Sequence, residues 1–210
     1  ALKIAMWNEA ADIAVHSLKE GPADEDFPEG LMLAATLERN DIRDAAVTRE
    51  DDSFAALRPG SKVGTSSLRR ASQLKASFPY LEVVPLRGNA DTRIGKVDSG
   101  EVDAAILAKS GLERIEMAHR IDMTFEPDIM CPAVGQGAVC IEARTDKEDI
   151  WALIAKINHQ PTFDCIVAER ALLKKLNADC HSAVGAHAEI TQSGENMRLI
   201  AMVASHDGQT

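Results

Sequence analysis

Between Lys62 and Ala108, short apolar runs alternate with amphipathic stretches, and this alternation constrains the fold more than any other feature of the sequence. The apolar runs end at Val63, in "LEVVPL" and in "VDAAILA", and the stretches between them carry apolar residues at helical spacing. Strands that alternate with helices build a parallel sheet with right-handed crossovers. The sequence therefore predicts the α/β class.

The flanking segments extend this prediction. Apolar strands are expected at 12–17 and 31–37 and across "AVGQGAVCIEAR", and helices near 149–158 and 162–176. "ERNDIRDAAV" has the composition of a crossover between domains. "SAVGAHAEI" and "MRLIAMVAS" alternate like antiparallel strands around a polar turn, which predicts a small α+β region at the end of the chain.

Composition excludes several classes of protein. The formal net charge of -10 argues against a nucleic-acid binder, because a phosphate backbone requires a broad basic surface. No apolar run is long enough to cross a membrane and no signal peptide is recognisable, so we expect a cytoplasmic protein without a membrane partner. The four cysteines form no CxxC pair, and we expect no metal site.

"VGTSSLRR" places two guanidinium groups at a predicted strand-to-helix junction. Gly64 permits a close turn, and Thr65 or Ser66 is expected to cap the helix. Arg69 and Arg70 then fall in the first helical turn, where the helix dipole disfavours positive charge unless a ligand supplies negative charge. These residues fit an anion site, but they equally fit a capped helix with two solvated arginines.

"LRGNADTR" repeats the arrangement at the next junction. Arg87 ends the strand, Gly88 turns, Asn89 caps the helix and Arg93 lies about one turn into it. Ligands of open α/β sheets bind beyond the carboxyl ends of the strands, so four arginines are expected at one crevice. Arginine binds carboxylates in bidentate fashion, which predicts a small ligand with several carboxylates. Phosphate is less favoured, because neither phosphate-loop pattern is present.

Two further segments carry groups that can do chemistry. "DIAVHSLKEGP" ends a strand with Lys19 and Glu20, and a carboxylate beside a polyanion site is useful where a cation forms during a reaction. A surface Lys–Glu pair would look the same. Cys180 lies in the polar loop "LNADCHSAVG", where a thiol is accessible as a nucleophile, although a tolerated loop cysteine is the alternative.

Seven segments together resemble the hydroxymethylbilane synthase, or porphobilinogen deaminase, family: "DIAVHSLKE", "VGTSSLRRASQL", "LRGNADTR", "DAAILAKSGLERI", "PAVGQGAVCIEAR", "AERALL" and the cysteine before "VGAHAEI". The resemblance runs from about Ala11 to the end. It implies two lobes like those of periplasmic binding proteins, with mostly parallel sheets, and a small α+β C-terminal domain. The implied domains are 1–38 with 138–156, then 42–131, then 160–210. It also implies that the family's N-terminal segment and the end of its last domain are missing.

The resemblance implies roles for individual residues. Cys180 would anchor a dipyrromethane cofactor through a thioether, and Glu20 would be the catalytic carboxylate. The residues expected to hold the cofactor's carboxylates are Lys19, Ser67, Arg69, Arg70, Arg87 and Arg93. Secondary candidates in the same cleft are Thr65, Ser66, Asn89, Arg114 and Gln136.

The implied enzyme is a cytoplasmic monomer that deaminates four porphobilinogen molecules and joins them into hydroxymethylbilane, without metal or nucleotide. The chain departs from the family pattern at Glu20, where the family has Asp. It departs again at Ala178, Asp179 and Ala183, where two glycines and a proline usually flank the cysteine.

Two other hypotheses remain open at this stage. In the first, the chain is a non-catalytic module that binds a polycarboxylate or pyrrole reversibly, without releasing ammonia. Alternatively, it is a folded fragment or inactive homologue whose arginines are merely solvated. The last hypothesis predicts that no carboxylate ligand protects the fold against heat, whereas a ligand of the native state must stabilise it.

Overall fold

The computed structural model describes residues 2–18, 29–178, 182–191 and 193–205. The chain forms two compact units. Unit 1 comprises Ala1–Asn40, Val134–Cys180 and His187–Leu199, and unit 2 comprises Asp41–Ala133, His181–Ala186 and Ile200–Thr210. The three-domain division expected above stays a prediction.

The helices and strands follow one another in this order: α1 (Leu2–Trp7), β1 (Ile13–Ser17), β2 (Leu31–Thr36), β3 (Asp44–Thr48), β4 (Lys62–Gly64), α2 (Leu68–Ser77), β5 (Glu82–Val84), α3 (Ala90–Asp98), β6 (Ala104–Ala108), α4 (Lys109–Arg114), β7 (Met123–Phe125), β8 (Val139–Arg144), α5 (Glu148–Ile154), α6 (Gln160–Leu176), β9 (Val184–Ile190) and β10 (Met197–Val203). None of the described helices is both long and apolar enough to span a membrane.

Unit 1 contains a three-stranded sheet of order β1-β8-β2. Both β1 and β2 pair antiparallel with β8, so they run in the same direction. One face of this sheet packs against α6 through Leu33, Cys140 and Ile166. The other face packs against α5 through Ala35, Ile141 and neighbouring apolar residues. The sheet is thus covered by a helix on each side.

Unit 2 contains a five-stranded sheet of order β5-β4-β6-β3-β7. Strand β4 pairs parallel with β5 and β6, whereas β3 pairs antiparallel with β6 and β7. Successive residues of β3 point to opposite faces. Ala45 and Val47 pack with the α3 residue Ile94, while Ala46 packs in the cluster that holds the α2 residue Leu74. Helices therefore cover both faces of this sheet.

These observations confirm the α/β class. In each sheet all strands but one run in the same direction. The exceptions, β3 and β8, are the first strands after the chain passes from one unit into the other. The predicted crossover "ERNDIRDAAV" contains the first four residues of β3, a central strand whose five residues are all buried, so the expectation of a crossover there is wrong for 44–47.

One predicted strand is shorter than expected. "AVGQGAVCIEAR" becomes extended only from Val139, because the preceding residues form a turn. Gly135 and Gly137 have φ values of +72° and +82° there, a region that glycine adopts without strain. Near the end of the chain, α6 is followed by β9 and β10, which pair into a two-stranded sheet.

Candidate functional site

In unit 2, the neighbouring strands β4 and β5 end at the same edge of the sheet, and each is followed by a helix, α2 and α3 respectively. Strands β4 and β5 are parallel partners, with Gly64 opposite Val84. Beyond the strands, the Thr65 amide donates to the carbonyl oxygen of Val84 at 2.9 Å, and Ser66 Oγ donates to that of Leu86 at 2.9 Å. The two predicted anion-binding segments are therefore adjacent.

Glycines allow this close approach. A Cβ on Gly64 would lie 2.6 Å from Leu86 Cδ2, so a side chain there would force the two segments apart. Gly88 has a φ of +122°, in the region that favours glycine, and a Cβ there would lie 2.7 Å from Thr92 Cγ2. Both positions need glycine for the junctions to form as they do.

Each helix begins at a polar capping residue. Ser67 caps α2 and its Oγ accepts from the Arg70 amide at 3.4 Å, so the expectation of Thr65 or Ser66 as the cap is wrong. Thr65 Oγ1 instead accepts from the Ser67 amide at 3.2 Å and thereby fixes the capping residue. The predicted cap of α3 is confirmed, because Asn89 Oδ1 accepts from the Thr92 amide at 2.9 Å.

Arg69 and Arg70 lie in the first turn of α2, as predicted, but both are buried against a carboxylate. Arg69 Nη2 is 2.7 Å from Asp44 Oδ2, and Arg70 Nη2 is 2.6 Å from Asp44 Oδ1. Their relative exposures are 3% and 5%, and that of Asp44 is 0%. Burial alone would raise the pKa of Asp44, but the two guanidinium charges outweigh it and lower that pKa to about 2.

The two arginines of this cluster also donate hydrogen bonds to backbone carbonyl oxygens. Arg69 Nη1 donates to the carbonyl oxygen of Cys131 at 2.6 Å, and Arg70 Nη1 donates to that of Ile106 at 3.0 Å. Asp44 is not among the predicted site residues. The available signal was an aspartate at the start of an otherwise apolar run, "DAAV", since a lone acid in a buried strand requires a cationic partner.

Arg87 and Arg93 are more accessible than the buried pair. Arg87 is exposed just beyond β5, and Arg93 is half-buried on α3, with Nε donating to the Gly88 carbonyl oxygen at 2.7 Å. Burial lowers the pKa of Arg93, and the positive charge of Arg70 lowers it further.

The remaining predicted residues lie elsewhere or outside the description. Arg114 is exposed at the end of α4 in unit 2. Gln136 belongs to unit 1, is buried, and its carbonyl oxygen accepts from Arg39 Nε at 2.9 Å. Lys19, Glu20 and Cys180 lie outside the described residues.

A second polar cluster lies inside unit 1, on the paired strands β1 and β8. His16 Nε2 is 3.0 Å from Glu142 Oε1, and His16 Nδ1 is 3.0 Å from the Ser17 carbonyl oxygen. Contact with the Cys140 sulfur and with the Glu142 carboxylate raises the pKa of His16 to about 10. The second oxygen of Glu142 is buried without a hydrogen-bond partner in the described ranges. No pattern in the sequence predicts the contact between Glu142 and His16.

The edge of unit 2 therefore offers cationic side chains and two helix N-termini to an anion. Helix N-termini and guanidinium groups are donors suited to carboxylates. In the part of the chain that the structure describes, no group of three or more His, Cys, Asp or Glu side chains could hold a metal ion. This chemistry is that of anion binding.

Comparison with known proteins identifies the family. Residues 1–152 match the family model described as "Porphobilinogen deaminase, dipyromethane cofactor binding domain", and residues 163–210 match "Porphobilinogen deaminase, C-terminal domain". Porphobilinogen deaminase of Laribacter hongkongensis is 48% identical over 100% of this chain and 67% of its own length. Those of Chromobacterium violaceum and Ralstonia nicotianae are 47% and 46% identical over 99% of this chain, and 66% and 61% of their own lengths.

Among solved structures, the methionine-binding protein MetQ matches with 16% identity and a TM-score of 0.48, over 84% of this chain and 80% of that one. The chain spans between 61% and 67% of the length of the three relatives. Its sequence identity to them, together with the two matching family models, shows that the chain belongs to the porphobilinogen deaminase family.

Proposed function

We propose that this chain belongs to a transferase that condenses four porphobilinogen molecules head to tail into hydroxymethylbilane, in tetrapyrrole biosynthesis. Four molecules of ammonia leave, and one water releases the product. The observation that carries the proposal is the adjacency of the α2 and α3 N-termini with their guanidinium groups, in a chain whose net charge is -10. An acidic protein that concentrates cations at one edge is built to bind a small anion there.

A dipyrromethane group fits this donor set, because its side chains are carboxylates and the exposed cations present are guanidinium groups. When bound, it would supply the pyrrole carbon to which each substrate is joined. Arg87 and Arg93, which are more accessible than the buried pair, would hold carboxylates of this group and of the incoming porphobilinogen. Ser67 would hold the start of α2 in place as its capping residue. Thr65, Ser66 and Asn89 would fix the loops that lead from β4 and β5 into the two helices. Arg69 and Arg70, buried at the start of α2, would add positive charge without contacting the ligand.

The remaining residues have roles that rest on family membership. Cys180 would form the thioether to dipyrromethane, and Lys19 would add a cation near it. Glu20 would stabilise the positive charge that develops on porphobilinogen as ammonia departs, which is the role of a carboxylate in an otherwise cationic site. Arg114, which is exposed at the end of α4, would contact the growing chain. Because Glu20 is one methylene longer than aspartate, we expect slower turnover than in relatives that carry aspartate.

We further propose a monomer in the cytoplasm. The thiols of Cys140 and Cys165 are buried and form no disulfide, which suits a reducing compartment. The three-domain organisation is part of the same proposal, with α6 and the β9–β10 sheet as the core of the last domain.

Two measurements test the proposal: ammonia release on adding porphobilinogen, and calorimetric binding of porphobilinogen. Arg87→Gln and Arg93→Gln should each weaken binding about tenfold or more, since each removes a charge-assisted carboxylate contact. Arg58→Gln is the matched control, because Arg58 is exposed and precedes β4, at the end of that strand opposite Gly64, so its loss should leave binding unchanged. Binding without ammonia release would favour a non-catalytic binding module. Equal effects of all three variants would contradict the assigned site.

A further inference from the structure

Within unit 2, the backbone of Cys131 is bound to the helix that carries the buried arginines. The Cys131 amide donates to Gln73 Oε1 at 2.6 Å. The Cys131 carbonyl oxygen accepts from Gln73 Nε2 at 3.2 Å and from Arg69 Nη1 at 2.6 Å. Gln73 and Arg69 are 8% and 3% exposed, so water competes little for these hydrogen bonds. Helix α2 therefore fixes both polar groups of the Cys131 backbone.

The first residues of β9 contact the same segment, also within unit 2. A Cβ on Gly185 would lie 2.9 Å from the carbonyl oxygens of both Cys131 and Pro132, and 3.1 Å from Cys131 Sγ. The next residue, Ala186, donates its amide to the Pro132 carbonyl oxygen at 3.0 Å. Backbone oxygens cannot turn aside as the end of a flexible side chain can. The strand therefore needs glycine at this position to approach so closely.

This contact lies a short distance along the chain from Cys180. Ala183 is 4% exposed and its carbonyl oxygen accepts from the Ala204 amide at 3.0 Å, so the residues before Gly185 are held on a second side. Cys180 precedes Gly185 by five residues, and five residues span at most about 18 Å. The attachment of Gly185 to residues 131–132, and through them to α2, therefore limits how far Cys180 can lie from that helix.

We propose that Gly185 and Gln73 are positioning residues for the cofactor anchor, because together they hold the strand that follows Cys180 against α2. The thiol and the arginines at the start of α2 and α3 would then keep a fixed separation. This inference rests on the proposed function, in which Cys180 forms the thioether and the arginines bind carboxylates of the pyrroles.

The proposed role concerns the reaction that forms the thioether. The Cys180 sulfur would replace the amino group of porphobilinogen: a C–S bond forms, the C–N bond breaks, and the thiol proton leaves with ammonia. A second porphobilinogen would join the free pyrrole carbon of the first, whose ring proton leaves with a second ammonia. The rate of a reaction between two groups held on one protein falls steeply when their separation changes.

The test adds porphobilinogen to cofactor-free protein, purified from cells that make none, and follows the intact mass over time. The dependence of this rate on porphobilinogen concentration gives a maximum rate and a half-saturating concentration. Gly185→Ala should lower the maximum rate about tenfold or more, because the new methyl group displaces the strand. The half-saturating concentration should stay within about twofold, because the arginines are intact. Gly95→Ala is the matched control and should change neither quantity, since nothing lies within 4 Å of a Cβ there.

Gln73→Met is a second, independent variant, which adds no atoms against β9. It removes the hydrogen bonds to Cys131 while keeping the length of the side chain, and it should lower the maximum rate in the same way. Ser72→Ala is its control, because Ser72 is fully buried on the same helix and its Oγ donates to the Arg69 carbonyl oxygen at 3.1 Å. A role limited to stability would lower the melting temperatures and leave the maximum rate of the folded protein unchanged.

The two variants decide the inference together, and Gln73→Met decides it alone if Gly185→Ala does not fold. Maximum rates within about twofold of the unmodified protein would overturn the inference and leave the proposed function standing. A loss of rate that Ser72→Ala shares would have the same consequence. An unmodified protein that gains no mass would overturn both the inference and the proposed function.

Discussion

Arg39 places both terminal nitrogens of its guanidinium against the carboxylate of Glu169, at 2.5 and 3.1 Å, and Glu169 has no exposed surface. The same carboxylate accepts from the amides of Gly135 and Ala188, both at 2.8 Å. Burial raises the pKa of Glu169, but the His187 ring, whose Nδ1 lies 3.5 Å from Oε1, and the charge of Arg39 lower it below its ordinary value overall. Within unit 1, one side chain of α6 thus fixes the turn before β8 and the strand β9.

Glu169→Gln should lower the free energy of unfolding by about 3 kcal/mol and the melting temperature by about 10 °C, because the charge of Arg39 loses its counter-ion. The control is Asp164→Asn, an exposed carboxylate on the same helix, which should change stability by less than about 0.5 kcal/mol. Thermal unfolding of both variants provides the comparison. Arg39→Gln added to Glu169→Gln should recover part of the loss, and equal melting temperatures for Glu169→Gln and Asp164→Asn would contradict this account.

Gly64→Ala should destabilise the protein by about 1–3 kcal/mol, because the new methyl group would overlap Leu86, which is 1% exposed and has little room to move. Gly95→Ala is the opposite case, since nothing lies within 4 Å of a Cβ at this helical position. It should stabilise α3 by about 0.8 kcal/mol. Urea unfolding of the two variants tests the sign of each effect, and a stabilising Gly64→Ala would show that the two junctions are not in close contact.

The parallel part of the unit 2 sheet and its two helix junctions were predictable, because its strands are short and apolar, and a glycine and a capping residue mark the junctions after β4 and β5. Strand β3 was not, because "DAAVT" is too short and too rich in alanine to stand out from a linker. It is a strand because β6 and β7 pair with it on both sides, which is tertiary information.

The ion-pair partners of the charged residues could not be predicted from the sequence either. Arg69 and Arg70 were predicted as ligand-binding groups in the first turn of α2, and their position is confirmed. Their pairing with Asp44 joins residues 25 and 26 positions apart along the chain. No local pattern links them, so only the pairing of β3 with β6 brings this carboxylate to the arginines. The same holds for His16 and Glu142, which are 126 positions apart.

His16 should make stability depend on pH. The Cys140 sulfur and the Glu142 carboxylate raise the pKa of His16 from 6.5 to about 10. A group whose pKa rises on folding contributes stability that is complete below its unfolded pKa and is lost as the pH rises through the folded one. The stability difference between the unmodified protein and His16→Gln should therefore shrink as the pH increases from 6.5 to about 10.

The measurement is the free energy of unfolding in urea across that pH range. His119→Gln is the matched control, because His119 is exposed in unit 2 and its replacement should leave the pH dependence unchanged. If the difference between the unmodified protein and His16→Gln is constant with pH, His16 does not hold its proton in the folded state.

The proposed covalent cofactor is tested most directly by the intact mass of the protein purified from cells that make porphobilinogen. We expect an added dipyrromethane mass that is absent from Cys180→Ser and retained by Cys165→Ser, because Cys165 is buried on α6. A bare chain in all three preparations, or an added mass that survives Cys180→Ser, would contradict it.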